Sequence, residues 1–289
     1  MGTGAAVTAL DAVREHLGVE GVHAYRLGSS VFVVSLPGGG QVVAKHTEAA
    51  AAEAAGLRWL REPGDVALPA VHGNDGEWVI TDYVAPGAPS VAAAEAFGRG
   101  LAALHLRGAP AFGAPPPGGP ADAWIGLAPM RNEPCATWAE FYAAHRVEPY
   151  LRSARDQGLF TADQAAVVTA VCDRLPDLAG PPEPPARLHG DAWSGNVHWS
   201  ADGPVHLIDP AAHGGHRETD LAMLRLFGTP LLDHILDAYT SAAADAGAPL
   251  ADGWRDRVGL HQLFPLLVHT TLFGGGYAAQ TLAAARSAG

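Results

Sequence analysis

The amino-acid sequence predicts an α+β protein of two lobes, a small β-rich lobe followed by a larger, mainly helical one. β-Rich runs are concentrated before residue 85, whereas apolar residues at helical spacing dominate after it. Clusters of the 35 glycines and 23 prolines separate these segments. A chain of 289 residues is long enough for one large domain or two small ones. We therefore assign residues 1–84 to the first lobe and residues 85–289 to the second.

The first lobe is predicted to be an antiparallel sheet with one long helix. Turn residues bound its β-rich runs, and Pro37-Gly38-Gly39-Gly40 joins two of them. Short strands joined by such turns fold most simply as a meander. The predicted elements are an opening helix at residues 5–17, strands at 22–27, 31–36 and 41–45, the long helix at 48–61 and a last strand at 77–84.

The second lobe is predicted to be helical with one interruption, where residues 187–189 and 205–209 form short strands with polar ends. Residues 258–285 contain no charged side chain. Because this stretch includes His261, Pro265 and a glycine run, we expect a buried helix that ends in a glycine turn, not a membrane span. The predicted helices span residues 91–105, 137–157, 161–175, 218–226, 230–244 and 254–271.

Charge and cysteine content exclude several classes of protein. The 18 basic and 30 acidic residues give a formal net charge of −12, which disfavours binding to a phosphate backbone or an anionic membrane. Cys135 and Cys172 have neither metal-ligand spacing nor the number for a disulfide framework. The N-terminus lacks a basic segment followed by an apolar one. We expect a cytoplasmic protein without nucleic-acid or membrane partners.

The densest cluster of reactive side chains is His189-Gly190-Asp191-Ala192-Trp193-Ser194-Gly195-Asn196, with Asp209 thirteen residues further on. This spacing matches the H-x-D-x-x-x-x-N loop and metal-binding aspartate of kinase-like folds. In phosphoryl transfer one carboxylate deprotonates the attacking hydroxyl, and an oxygen pair holds Mg²⁺ on the nucleotide phosphates. The pattern predicts Asp191 as the base and Asn196 with Asp209 as the metal ligands. We assign His189 to structure because Asp191 is the better base.

Lys45 is the single lysine among the 18 basic residues, and it ends the strand Gln41-Val42-Val43-Ala44-Lys45. A strand-terminal V-A-x-K lysine is typical of a contact to the α- and β-phosphates of ATP. An ammonium is a compact point charge that the planar guanidinium of arginine does not replace. We expect its partner acid on the next helix to be Glu53, with Glu48 as the second choice. The alternative interpretation is that Glu53 is a solvated carboxylate on the helix surface.

Two further segments are candidates for nucleotide contacts. Gly28, Ser29 and Ser30 lie between the first two strands, where backbone N–H groups and hydroxyls can cradle phosphates, although one glycine is weak evidence and a plain hairpin turn is equally compatible. Asp82-Tyr83-Val84 precedes Ala85-Pro86-Gly87, which is typical of a hinge between lobes. The main chain from Asp82 to Val84 is predicted to contact the adenine.

These motifs resemble those of the fructosamine kinase (ketosamine-3-kinase) family, within the aminoglycoside- and choline-kinase-like phosphotransferases. Together with Lys45 and Glu53, the resemblance covers almost the whole chain. It implies a two-lobed protein-kinase-like fold, ATP and Mg²⁺ as cofactors, and phosphorylation of the 3-hydroxyl of a small-molecule or protein-bound ketosamine, which releases the amine as a deglycation repair. The matching segments are LHGDAWSGN at 188–196, LIDPAAHGGHRETDLAM at 207–223, DAWIGL at 122–127, WAEFYAAHR at 138–146 and HQLFPLLVHTTLFGGGY at 261–277.

The acceptor site is predicted less directly. Trp193, two residues after Asp191, offers a flat apolar face to a sugar or amine, although it could equally be a packing residue. His216, Arg217 and Glu218 follow Asp209 in the chain and are candidates for acceptor contacts; a local salt-bridge and capping cluster is the alternative. Asp220 is expected to brace the catalytic loop.

Two other functions remain open from the sequence. A kinase of the same fold could act on another hydroxylated amine, such as an aminoglycoside. A nucleotide-binding pseudokinase would be a regulatory module, but Lys45, Asp191, Asn196 and Asp209 are all present, and the loss of one of them is the usual mark of a dead kinase.

Overall fold

A computed structural model describes residues 3–288 and contains both predicted kinds of region. Over residues 3–84 the N-terminal region contains two helices and five strands. Its elements are α1 (Thr3–Leu17), β1 (His23–Arg26), β2 (Val31–Ser35), β3 (Gln41–His46), α2 (Ala50–Arg61), β4 (Val71–Asn74) and β5 (Trp78–Asp82).

The five strands form one antiparallel sheet in the order β1-β2-β3-β5-β4. Alternation along the strands gives the sheet two apolar faces. One face, including Ile80, packs on Ala9 and Val13 of α1, whereas the adjacent Val79 packs on Ala54 of α2. The sequence missed β4, because Val-His-Gly-Asn is short and polar and its register shifts between Val71 and Gly73. The helix α2 lies over the sheet at the end of β3, close to Lys45.

The C-terminal region is mainly helical. Its elements are α3 (Val91–Leu106), β6 (Asp122–Ile125), β7 (Ala128–Arg131), α4 (Trp138–Tyr142), a π-helical turn (Ala143–Val147), α5 (Glu148–Asp156), α6 (Ala162–Asp173), α7 (Leu175–Leu178), β8 (Ala186–Leu188), β9 (Val197–Trp199), β10 (Val205–Leu207), β11 (His213–Gly215), α8 (Glu218–Arg225), α9 (Leu232–Asp245), α10 (Val258–Phe273) and α11 (Gly276–Ala288).

Two apolar cores hold this region together. One joins α3, α8 and α9 and also includes Leu57, Trp59 and Leu60 of α2. The other joins α4, α5, α6, α10 and α11. The predicted helix at 137–157 is divided by the π-helical turn, and the predicted glycine turn at the end of α10 is followed by α11, which the sequence did not predict. Within residues 3–288, no helix is both long enough and apolar enough to cross a bilayer.

Three short strand pairs lie among these helices. β6 pairs with β7, β9 with β10, and β8 with β11, all antiparallel. Sequence analysis found parts of β8 and β10 but missed their partners and the β6–β7 hairpin, because three- and four-residue strands carry too little periodicity to be recognised. These pairs place the loops at 189–196 and 208–212 next to each other.

Candidate active site

Two adjoining cavities lie between the sheet and the helical region. The first, of about 410 Å³, is lined mainly by apolar side chains and by Gly28, Asp82 and Val84. The second, of about 660 Å³, is lined by Ser29, Ser30 and the loops that carry Asp191 and Asp209. Lys45, Glu53, Val31 and Asp209 border both cavities. The candidate nucleotide residues and the candidate catalytic residues therefore meet along one continuous cleft.

Lys45 lies at the junction of the two cavities. Its Nζ donates hydrogen bonds to Glu53 Oε2 at 2.8 Å and to Asp209 Oδ1 at 2.9 Å. Burial favours the neutral amine, but the carboxylates of Glu53 and Asp209 outweigh it and raise the pKa of Lys45 above its usual value. The side chain is therefore a fixed cation. Glu53, rather than Glu48, is its partner on α2.

The loop that carries Asp191, residues 189–196, begins where β8 ends, and Asp220 of α8 fixes it. The backbone N–H groups of His189 and Gly190 donate to Asp220 at 2.8 and 2.9 Å, and His105 Nε2 lies 3.2 Å from the same carboxylate. Gly190 has a φ of +80°, and a Cβ there would collide with Ala211 O. Asp220 is completely buried, so its carboxylate depends on these donors.

His189 holds the same loop through both ring nitrogens. Nε2 lies 3.0 Å from the carbonyl oxygen of Ile208, and Nδ1 lies 3.3 Å from the backbone nitrogen of Asp191. Nε2 must donate to the carbonyl, so Nδ1 is the acceptor for the Asp191 N–H. Burial lowers the pKa of His189 and keeps the ring neutral. Like Asp220, this side chain supports the loop that presents Asp191.

Asp191 is the carboxylate best placed to act as a base. Its side chain is buried, and Asn196 Nδ2 donates to its Oδ2 at 2.9 Å and to its backbone oxygen at 2.8 Å. Burial raises the pKa of Asp191 to about 7, against the opposing hydrogen bond from Asn196. A general base works best when its pKa lies near the working pH. The geometry thus combines a fixed orientation with a suitable basicity.

Asn196 and Asp209 provide an oxygen donor set that suits Mg²⁺. Because Asn196 uses its amide nitrogen to bind Asp191, Oδ1 is its ligand atom. The Asp209 side chain is 47% exposed and reaches the cleft from the loop after β10, where its φ is +52°. Hard divalent cations prefer carboxylate and amide oxygens. The two residues therefore fit the metal that a kinase-like reaction requires.

The hinge segment, residues 82–87, is hydrogen-bonded to the hairpin of β9 and β10, which lies between Asn196 and Asp209 in the chain. Gly87 N donates to Trp199 O at 2.7 Å, Ala201 N donates to Ala85 O at 2.9 Å, and His198 Nε2 lies 3.0 Å from Val84 O. The Asp82 carboxylate accepts from Ala70 N and contacts His72. Of residues 82–87, Asp82, Tyr83, Val84 and Pro86 line the first cavity.

The loop before β2 is a tight turn rather than an open cradle. The N–H groups of Leu27 and Gly28 both donate to Val31 O, at 2.8 and 3.2 Å. Gly28 lines the first cavity, and Ser29 and Ser30 line the second. These three residues therefore cover the junction of the cavities, close to Lys45.

The second cavity is also lined by Trp193 and by residues that sequence reasoning missed. Trp124, Leu127 and Asn132 come from the β6–β7 hairpin and its end. The DAWIGL segment contributed to the family resemblance, but it did not indicate a position in the cleft. The Trp193 ring also packs edge-on against Phe227, so both of its suggested roles are compatible with its position.

His216, Arg217 and Glu218 do not line this cleft, which corrects their assignment to acceptor contacts. All three are buried. Arg217 is paired with Glu183, and Glu218 with Arg257, each through contacts as short as 2.6 Å. Arg217 and Glu218 therefore form salt bridges, as the alternative assignment expected, but their partners come from distant parts of the chain and are not local.

Glu218 and two histidines form a cluster that could resemble a metal site. Ligand atoms of His216, Glu218 and His261 lie within 4.8 Å of one another. However, Arg257 binds both oxygens of the Glu218 carboxylate, at 2.6 and 2.9 Å, and already neutralises its charge. A second, divalent cation would meet this guanidinium, so we assign the cluster to structure.

Buried histidines make stability depend on pH, and His213 of β11 offers a specific test. Burial lowers its pKa to about 3. As the pH falls below about 6.5, an unfolded histidine gains a proton while His213 in the folded protein does not, so stability is lost as the pH falls from 6.5 toward 3. At pH 5.5 the loss is about 1.4 kcal/mol.

His213→Gln should therefore lose less stability on acidification than the wild-type protein. The measurement is the free energy of unfolding in urea at pH 7.5 and 5.5. The decrease between these values should be smaller in the variant by about 1.4 kcal/mol. Equal decreases in the two proteins would contradict this origin of the pH dependence.

Comparison with known proteins agrees with this geometry. The model of the family described as fructosamine kinase matches residues 40–287. A probable ketoamine kinase of Enterococcus faecium is 31% identical over 211 residues, which cover 72% of this chain and 70% of the relative.

Solved structures show the same similarity. A Thermobifida fusca crystal structure named as a fructosamine-3-kinase superposes with a TM-score of 0.88 at 46% identity, covering 96% of this chain and 97% of the other. An aminoglycoside phosphotransferase shares the fold, with a TM-score of 0.63 at 20% identity over 96% and 98% of the two chains. The architecture is thus that of a protein-kinase-like phosphotransferase.

Proposed function

Because the chain belongs to the fructosamine kinase family, we propose that it transfers the γ-phosphoryl group of ATP to the 3-hydroxyl of ketosamines. The observation that carries this proposal is the convergence of Lys45, Asp191, Asn196 and Asp209 on one cleft. The acceptor class follows the ketoamine kinase and fructosamine-3-kinase relatives. Phosphorylation at this position labilises the sugar adduct and frees the amine, so the activity is a deglycation repair.

The roles of the residues follow from their positions. The adenine occupies the first cavity against the main chain at Asp82–Val84, and the Lys45 ammonium, held by Glu53, contacts the α- and β-phosphates. Gly28, Ser29 and Ser30 cover the phosphates. We therefore assign nucleotide binding to residues 1–84, and catalysis and acceptor binding to residues 85–289.

The reaction itself needs one proton transfer. Asp191 accepts the proton of the 3-hydroxyl as its oxygen attacks the γ-phosphorus; the new O–P bond forms while the bond to the β-phosphate oxygen breaks and ADP leaves. Asn196 holds the Asp191 carboxylate in position. Asn196 and Asp209 would hold Mg²⁺, which neutralises the phosphate charge when bound.

The proposal is tested by coupled ADP release with Mg-ATP and four acceptors: a fructosamine, a ribulosamine, kanamycin and choline. We expect turnover above the ATPase background with the ketosamines, and ³¹P NMR should identify a 3-phosphate. Turnover with kanamycin alone would favour an aminoglycoside kinase. Nucleotide binding without turnover of any acceptor would favour a regulatory pseudokinase.

Lys45→Arg tests the role of the single lysine. The guanidinium is longer and planar, so it cannot place its charge between Glu53 and Asp209 as the ammonium does. We expect kcat/KM for ATP to fall roughly 10- to 100-fold, a loss of about 1.4–2.7 kcal/mol. The matched control is Arg58→Lys on the neighbouring helix, which should leave kcat/KM for ATP close to the wild-type value. A Lys45→Arg enzyme of wild-type activity would remove Lys45 from the phosphate site.

A further inference from the structure

Asn132, which follows β7, borders the second cavity of the cleft. It is 1% exposed, and its backbone N–H donates to Ala121 O at 2.7 Å. Asn132 lines the second cavity together with Asp191 and Trp193, but it does not line the first cavity. Asn132 therefore borders the cavity that contains Asp191 and not the one that contains the Asp82–Val84 segment.

Arg146, in the π-helical turn, determines which way the Asn132 amide points. Arg146 is buried between the rings of Phe141 and Phe264, and its Nη1 donates to the backbone oxygens of Arg131 and His145 at 2.8 and 3.0 Å. Its Nη2 lies 2.6 Å from Asn132 Oδ1. A guanidinium has no acceptor, so the atom that faces it must be the amide oxygen. The Asn132 NH₂ group is consequently directed away from Arg146.

This NH₂ group is buried and, within residues 3–288, Nδ2 has no hydrogen-bond partner. A buried donor without a partner costs free energy, which is regained when a ligand oxygen binds it. Trp124 and Trp193 line the same cavity and provide flat apolar surfaces of the kind on which sugar rings pack.

We propose that Asn132 is a specificity-determining residue whose Nδ2 donates a hydrogen bond to an oxygen of the acceptor sugar other than the reacting 3-hydroxyl. Arg146 is a positioning residue, because it acts only through the orientation of Asn132. The inference rests on the proposed function, since it names the group that recognises the sugar part of the ketosamine. An amine without such an oxygen would leave Nδ2 unpaired and would be a poorer acceptor.

The test measures kcat/KM for a fructosamine and for analogues that each lack one sugar oxygen, in the wild-type protein and in Asn132→Ala. With the complete acceptor we expect kcat/KM to fall roughly 5- to 150-fold in the variant, while the KM for ATP stays unchanged. One analogue should be turned over equally by the two proteins, because the oxygen that Asn132 binds is already missing. A loss of the same size for every analogue, or no loss at all, would overturn the inference.

Two further variants control for stability. Asn132→Asp keeps an oxygen toward Arg146 and is measured in place of Asn132→Ala if the alanine variant does not fold. Asn132→Asp and the wild-type protein should then turn over the same single analogue with equal kcat/KM. Asn74→Ala is the matched control. It removes a similar hydrogen bond at the edge of the other lobe, where Arg58 Nη2 donates to Asn74 Oδ1 at 2.9 Å. It should not change the kcat/KM for any acceptor.

Arg146→Lys tests the positioning role. We expect it to raise the KM for the fructosamine more than it lowers kcat and to leave the KM for ATP unchanged. An equal loss with all analogues would show a purely structural role for Arg146. If the wild-type protein does not phosphorylate any ketosamine, the proposed function and this inference fail together; if it does and Asn132→Ala matches it, only the inference about Asn132 fails.

Discussion

Asp191→Asn should lower kcat for phosphoryl transfer by about 10²- to 10⁴-fold, the range expected for loss of a general base. The amide has nearly the shape of the carboxylate, so the loop held by His189 and Asp220 should keep its conformation. The measurement is kcat from coupled ADP release, with nucleotide affinity from calorimetry. We expect nucleotide binding to remain close to that of the wild-type protein.

Asp202→Asn is the matched control. It makes the same change in the exposed turn between β9 and β10 and should leave kcat unchanged. A normal kcat in Asp191→Asn would show that another group accepts the proton. A decrease in kcat accompanied by a loss of nucleotide binding would indicate damage to the cleft rather than loss of the base.

Asp220→Ala should cause the largest loss of stability, about 3–5 kcal/mol in the free energy of unfolding. Burial opposes ionisation, yet the hydrogen bonds from His105 and from the backbone of Gly190 lower the pKa of Asp220, so the native carboxylate is charged. The alanine would leave the N–H groups of His189 and Gly190 without their acceptor. The measurement is urea denaturation at pH 7.5.

Asp245→Ala, at the exposed end of α9, is the control and should change stability by at most about 0.5 kcal/mol. Asp220→Asn provides a milder variant, because the amide retains one acceptor oxygen but turns an NH₂ group toward a backbone N–H. It should lie between the wild-type protein and Asp220→Ala. Equal stability of all these proteins would mean that the loop does not depend on Asp220.

The parts of the site that sequence analysis predicted are those whose partners are close in the chain or follow a fixed spacing. Glu53 lies eight residues after Lys45 on the inward face of α2, beside the buried Leu57. Asp191 and Asn196 lie five residues apart on one loop. Local geometry therefore brings each pair together once the strand or loop has formed.

The parts that could not be predicted depend on distant contacts. The partners of Arg217 and Glu218 lie 34 and 39 residues away, and only the tertiary structure shows that these side chains are already bound. Asn132 is similar, because its orientation depends on Arg146 and its place beside the second cavity depends on a hairpin of four-residue strands. A polar side chain in sequence does not reveal whether its partner is protein or ligand.

The contacts of the hinge with the β9–β10 hairpin have a mechanical consequence. This hairpin leads directly from Asn196 at one end to Asp209 at the other, and its strand β9 and the following turn bind the backbone of Ala85 and Gly87. The backbone from Val84 to Gly87, beside the proposed adenine site, and the two residues proposed to hold the metal are thus attached to the same hairpin. A rotation of the sheet about this segment would move Lys45 and the turn at Gly28 relative to Asn196 and Asp209, whereas Val84 would stay bound to the hairpin.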